Sequence, residues 1–153
     1  MTPTRLLPAE WYPQSGIQLT WPHPGTDWAY MLDEVTACFV DLAREISKRE
    51  KLLIVTPSPA EVEQRLQGVV DTGTIDFVRC PTNDTWARDH GGITVFEEGK
   101  PTICDFKFNG WGLKFAANHD NLITSSLCRQ GVFNARYENR LNFVLEGGAL
   151  ESD

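Results

Sequence analysis

A mixed α/β fold, of the α+β type, is what the sequence predicts. Three observations carry that prediction: short apolar runs of strand character recur along the chain, amphipathic helical stretches lie between them, and turn-forming residues separate the two. The order is strand, helix, strand, helix, strand, hairpin, helix, strand, which is not the regular alternation of a dinucleotide-binding fold.

The elements follow in order. Pro8 to Trp21 opens with prolines and aromatics, and Ile17-Gln18-Leu19-Thr20-Trp21 alternates as a strand does before Pro22-His23-Pro24-Gly25 stops it. Trp28, Met31, Leu32, Val35, Cys38, Phe39, Leu42 and Ile46 then recur at the three-and-four spacing of one buried helix face, with Thr26 or Asp27 expected at the cap. On this pattern Cys38 belongs to the core. Leu52-Leu53-Ile54-Val55 is a continuous apolar run, as expected of a strand covered on both faces. Ser58-Pro59-Ala60-Glu61 supplies an N-cap, a proline in the first turn and a glutamate three residues on, so a short helix should run to about Gln67.

Ile75–Val78 reads as a strand, and Cys80 to Asp89 as a polar loop. Ile93–Phe96 and Thr102–Phe106 flank Glu97-Glu98-Gly99-Lys100-Pro101 and predict a hairpin. Phe108–Phe115 reads as an aromatic, glycine-rich loop, Asn118–Cys128 as a helix, and Val132–Tyr137 and Phe143–Leu145 as two further strands.

Composition narrows the function classes. The 153 residues suffice for one ordinary core, and 41% of them are hydrophobic, which excludes a disordered polymer. No apolar run reaches the roughly 20 residues of a membrane helix. The first eight residues lack an apolar leader, so the cytoplasm is the expected location. A net charge of −7 argues against nucleic acid as a partner and would steer a cation favourably, although acidity also serves solubility. Cys38, Cys80, Cys104 and Cys128 form no CxxC pair, and His23, His90 and His119 are scattered, so no metal is expected and the thiols read as reduced. No glycine-rich phosphate motif occurs, and no cofactor is implied.

Three segments can carry chemistry. Asn83-Asp84-Thr85-Trp86-Ala87-Arg88-Asp89-His90-Gly91-Gly92 gathers two aspartates, an arginine, a histidine and a tryptophan after a strand. Either the aspartates cap a surface turn, or they are ligand groups at a strand end. The tryptophan favours the second reading, since a large aromatic in a polar turn needs a packing partner. Phe106-Lys107-Phe108-Asn109-Gly110-Trp111-Gly112-Leu113-Lys114-Phe115 frames Trp111 with glycines, so the indole either joins the core or forms a wall against a flat cation. Leu145-Glu146-Gly147-Gly148 delivers a carboxylate at a strand end with room beside it, or simply precedes a turn. The histidines read as solvated or structural, with His90 the one beside a candidate site.

Together these segments resemble the agmatine deiminase and bacterial-type peptidylarginine deiminase family of the guanidine-modifying β/α-propeller superfamily. The matching stretches are Pro8-Ala9-Glu10-Trp11-Tyr12-Pro13-Gln14, Leu19-Thr20-Trp21-Pro22-His23, Asn83 to Gly91, Phe108 to Lys114 and Leu145-Glu146-Gly147-Gly148, in the family's order and across nearly the whole chain.

The resemblance implies hydrolysis of a guanidino group to a ureido group with loss of ammonia. A cysteine thiolate attacks the guanidinium carbon, a covalent thiouronium forms, and water cleaves it, with a histidine as acid and base. It implies that residues 1–153 are a single incomplete domain, about the first half of a five-unit propeller of ββαβ-like units. It assigns Asp89 to gripping the guanidinium and Glu146 to lining the site and orienting the histidine. Asp84 and Trp86 would shape the pocket, with Asn109 and Trp111 as weaker candidates for its wall, while Arg88 should pair with a structural carboxylate. Gly92 stands where the family usually has proline, a change expected to loosen the loop. The family's His-x-Asp motif and nucleophilic cysteine have no match here, so the stretch by itself is expected to be inactive. Its expected partners are a small cationic guanidine, the remainder of a deiminase chain over an apolar seam, and in some settings a second copy. Agmatine is the expected substrate, on the route to putrescine. Peptidylarginine or another guanidine is the runner-up, and a non-catalytic guanidine-binding or interaction module is the other class.

Overall fold

The structure, a computed structural model, describes residues 4–153. The reading of the first eight residues as leaderless falls partly on residues 1–3, which lie outside the described ones. In chain order the strands are β1 (Arg5–Leu6), β2 (Ile17–Thr20), β3 (Leu52–Thr56), β4 (Ile75–Arg79), β5 (Ile93–Glu97), β6 (Lys100–Lys107) and β7 (Arg136–Val144). The helices are α1 (Leu32–Ser47), α2 (Pro59–Leu66), the single turn α3 (Ala87–His90) and α4 (Asp120–Arg129). No described helix is long and apolar enough to cross a membrane. The chain divides into two compact units, Gln14–Ala87 and Met1–Pro13 with Arg88–Asp153.

The unit Gln14–Ala87 is a three-stranded parallel sheet, ordered β2-β3-β4. β3 is central and all five of its residues are buried, as its unbroken apolar run predicts. Trp21, Ala43, Leu52, Ile54, Val62, Leu66 and Ile75 form the core, with Phe39, Val40 and Ile46 against it. The helix face differs from the predicted one. Cys38 is exposed and Leu42 is 41% exposed, while Thr36 and Ala43 are buried. Of the buried pair only Ala43 joins the core cluster, between the flanking Phe39, Val40 and Ile46, so the stripe is rotated away from Cys38 and Leu42. The predicted caps also differ. Thr26 Oγ1 donates to the His23 carbonyl, and the helix starts through a 3-10 turn, Ala29–Met31, without a side-chain cap. Ser58 and Pro59 take the expected places at the start of α2. Ser58 makes no capping bond, and its amide donates to Thr56 Oγ1.

The second unit is a four-stranded sheet, ordered β1-β5-β6-β7, antiparallel except for the parallel pair β6/β7. The β5–β6 hairpin closes on Glu98 and Gly99, both at positive φ (51° and 78°), the signature of a tight primed turn. The two strands predicted around residues 132–145 are one strand, β7. On a sheet edge the charges between the two predicted strands find partners: Arg5 pairs with Glu138 and Glu97 and Arg136 with Glu97 across strands, and Arg140 pairs with Glu138 along β7 itself. Gly92 is not a loose point. A Cβ there would meet Ile103 Cγ2 at 2.5 Å and Thr124 Cγ2 at 2.8 Å, so these side chains close over the position.

Candidate functional site

In the sheet unit that holds β5–β7, two loops supply the candidate carboxylates. Asp89 lies on α3, and Glu146 follows β7, whose end is pinned by the Leu145 amide donating to the Lys107 carbonyl at 3.2 Å. Glu146 then caps a 3-10 turn, Gly147–Ala149. The two glycines bring these loops together. A Cβ on Gly147 would stand 2.2 Å from the Arg88 carbonyl oxygen, and one on Gly148 would stand 2.3 Å from Asp89 Oδ1 and 3.9 Å from Glu146 Oε1. Both carboxylates therefore border the same small volume above Gly148, which a side chain at that position would fill. Both are half-buried, and neither makes an ion pair among the described residues. Two carboxylates so placed, with their charges uncompensated, can share a planar cation that donates several parallel N–H bonds.

Arg88 does not face that volume. Its guanidinium donates to Glu10 Oε1 at 2.7 Å and to the Leu150 carbonyl at 2.8 Å, the structural pairing expected of it. His90 departs from the solvated reading: it is 3% exposed, its ring lies 6.2 Å from that of Phe108 at a tilt of 54°, and neither ring nitrogen has a hydrogen-bond partner among the described residues. Burial lowers its pKa to about 4, so the ring is neutral at physiological pH. Sequence offered one signal for this, its place between a polar turn and two glycines, but nothing to separate burial from exposure.

Asn109 and Trp111 belong to the same unit. Asn109 Oδ1 accepts from the Gly112 amide at 2.9 Å and caps the turn Gly110–Leu113. That turn is left-handed, with φ of 62°, 54°, 78° and 67° at Gly110, Trp111, Gly112 and Leu113. The Leu113 amide donates to the Asn109 carbonyl at 2.8 Å and the Lys114 amide to Gly110 at 3.0 Å. The half-buried Trp111 sits edge-on between Phe108 and Phe115, with ring centroids 5.0 and 5.8 Å away.

Asp84 and Trp86 belong to the unit Gln14–Ala87. Asp84 is 3% exposed, and its Oδ1 accepts from the amides of Thr85 (2.6 Å) and Trp86 (3.2 Å), which is the turn-capping role. Trp86 is 47% exposed and has the packing partner its size demands. Trp28 lies at 6.1 Å and is itself fixed by its indole N–H donating to Thr85 Oγ1 at 2.9 Å. His23 is structural: Nδ1 accepts from the Gly25 amide at 3.1 Å, leaving Nε2–H to donate to Thr82 Oγ1 at 3.0 Å.

A mixed α/β scaffold that brings two carboxylates together over a glycine pair matches a known family of proteins. The chain belongs to the Porphyromonas-type peptidyl-arginine deiminase family, whose model matches residues 6–153. It is 30% identical to a Selenomonas ruminantium protein described as "Putative agmatine deiminase", over 96% of this chain and 41% of that one. Among solved structures, a Porphyromonas gingivalis protein described as "Putative Arginine Deiminase" is 52% identical, with a TM-score of 0.85 over 98% of this chain and 44% of that chain. The C. jejuni agmatine deiminase solved with substrate bound is 30% identical, with a TM-score of 0.84 over 95% and 42%. The chain thus spans about 41% of the length of the curated relative it matches.

Proposed function

We propose that this chain is the guanidinium-gripping portion of a deiminase that converts the guanidino group of agmatine to a ureido group and releases ammonia. The observation that carries this is the shared volume over Gly148, bordered by Asp89 Oδ1 and Glu146 Oε1. In this reading Asp89 holds the guanidinium N–H groups, and Glu146 lines the site and orients the catalytic histidine. Asn109 and Trp111 form its wall, and the 153 residues make up about half of a five-unit propeller.

The nucleophile comes from elsewhere in the enzyme. Burial raises the pKa of both Cys104 and Cys128, which opposes thiolate formation. In the complete protein a cysteine thiolate would add to the guanidinium carbon and expel ammonia with a proton from histidine. Water would then cleave the thiouronium to the ureido product and regenerate the thiol. Such chemistry belongs with putrescine formation in the cytoplasm. The net charge of −7 suits a dicationic amine.

A second reading, peptidylarginine or free arginine as substrate, is favoured by the family description and by the 52% identical relative. Calorimetry with agmatine and with an arginine-containing peptide separates them. Binding of agmatine that is lost in Asp89→Asn is the expected result. Peptide binding with none of agmatine would reassign the substrate, and no binding of either would leave an interaction module.

A further inference from the structure

The reading of the carboxylates gives no role to the N-terminal motif Pro8-Ala9-Glu10-Trp11-Tyr12. We infer that this segment, acting through Arg88, is a clamp that sets the gap between Asp89 and Glu146, so that Arg88 and Glu10 are positioning residues for guanidinium recognition. This inference rests on the deiminase reading of those two carboxylates.

The geometry is a closed set of contacts within one unit. Arg88 immediately precedes Asp89, and its guanidinium reaches the Leu150 carbonyl at the far end of the turn that begins at Glu146. The backbone of Arg88 also touches this turn, since only a glycine at 147 tolerates its carbonyl oxygen. One residue therefore holds the Glu146 turn from two sides. Glu10 completes the arrangement at 2.7 Å, holding the other side of the same Arg88 nitrogen. Glu10 is fixed in turn. Ser152 Oγ donates to the Pro8 carbonyl at 2.8 Å, the Tyr12 amide donates to Ala9 at 2.9 Å, and the Tyr12 ring lies 5.3 Å from Phe96 on β5. The strap thus ties residues 8–12 to the segment after Glu146 and, through Arg88, to Asp89.

An exposed ion pair of this kind contributes little to global stability, because solvent screens it. Its leverage is geometric. A planar cation bridging two carboxylates needs both at fixed separation, whereas a compact ammonium tolerates a wider range.

The test compares wild type, Arg88→Met and Glu10→Gln. Hydrogen exchange is read at Ala149 and Leu150, whose amides donate to Glu146 and Gly147, with β6 amides as the control for global opening. Calorimetry then gives the preference for agmatine over cadaverine, which carries ammonium in place of guanidinium. Arg88→Met should speed exchange at Ala149 and Leu150 by about tenfold, the loss of a hydrogen bond from a charged donor, with β6 unchanged. It should also cut the agmatine preference by about tenfold, as loss of a supporting partner does at other sites. Glu10→Gln keeps an acceptor and should retain most of both. If Arg88→Met leaves exchange at Ala149 and Leu150 at the wild-type rate, the clamp is wrong, whatever binds. Wild type without any agmatine preference, but with the exchange effect present, sinks the deiminase reading and leaves the clamp standing.

Discussion

The two units use opposite means to place their residues. Gln14–Ala87 is organised by burial: a central strand with all residues covered, a helix packed through Phe39, Val40, Ala43 and Ile46, and a continuous apolar core. The β5–β7 unit is organised by special positions: glycines where no Cβ fits, a left-handed turn, a buried unpaired histidine and a ladder of charges. The first is tolerant wherever volume is conserved and intolerant of cavities. The second adds to its own buried side chains, among them Phe108, Ile123 and Leu127, a few backbone points that accept no side chain.

The largest effect should come from striking each unit at its own kind of weakness. Leu52→Ala removes a fully buried side chain from β3 and should cost about 2–5 kcal/mol in urea unfolding. Gly147→Ala adds one methyl against a backbone oxygen that cannot step aside, and should destabilise by about 1–3 kcal/mol or more. A Gly147→Ala chain as stable as wild type would show that the Arg88 carbonyl can move out of the way.

The next effect is one of pH. The folded pKa of His90 is about 4 against an ordinary 6.5, so the folded state binds fewer protons than the unfolded chain between those values. Its contribution is complete above pH 6.5 and is lost as pH falls towards 4, amounting to about 3 kcal/mol. Asp105 works the other way: burial raises its pKa despite the hydrogen bond from Tyr137, so it favours the folded state as pH falls. The difference between wild type and His90→Phe isolates the histidine. Denaturant unfolding across that range should show the acid loss in wild type and a flatter profile in the variant. Equal slopes would mean that His90 meets solvent.

Burial-driven structure was the more legible in sequence. β3 announces itself as an apolar run, and α2 by its serine and proline, because periodicity and turn chemistry report local preference directly. Cys38 was misplaced because apolarity alone cannot say which stripe of a helix lets the backbone approach a sheet. β7 reads as two strands in sequence because the partners of Glu138 and Arg136, Arg5 on β1 and Glu97 on β5, lie far away in sequence. At the site, Asp89 and Glu146 were legible as a motif pair, but the reason for Gly147 and Gly148 was not. Their need appears only once Arg88 and Asp89, distant along the chain, are seen to occupy the space. The role of Glu10 is hidden in the same way.

The smallest effect sharpens the comparison most. Leu113 is 84% exposed and sits at φ 67°, so its side chain packs on little while its backbone occupies a conformation that costs a non-glycine residue about 1–2 kcal/mol. Glycine would remove that cost and lose roughly 0.5–1 kcal/mol to greater freedom of the unfolded chain. Leu113→Gly should therefore stabilise the protein slightly, by up to about 1 kcal/mol, shown as a small rise in thermal midpoint. Trp111 shares the left-handed conformation but is locked between Phe108 and Phe115, so Trp111→Gly should destabilise despite the same backbone relief. Opposite signs at two neighbouring left-handed residues would show that the turn is kept for where it puts the indole. If both changes destabilised, Leu113 would have a packing role of its own, and the left-handed run would be held by more than the Trp111 ring.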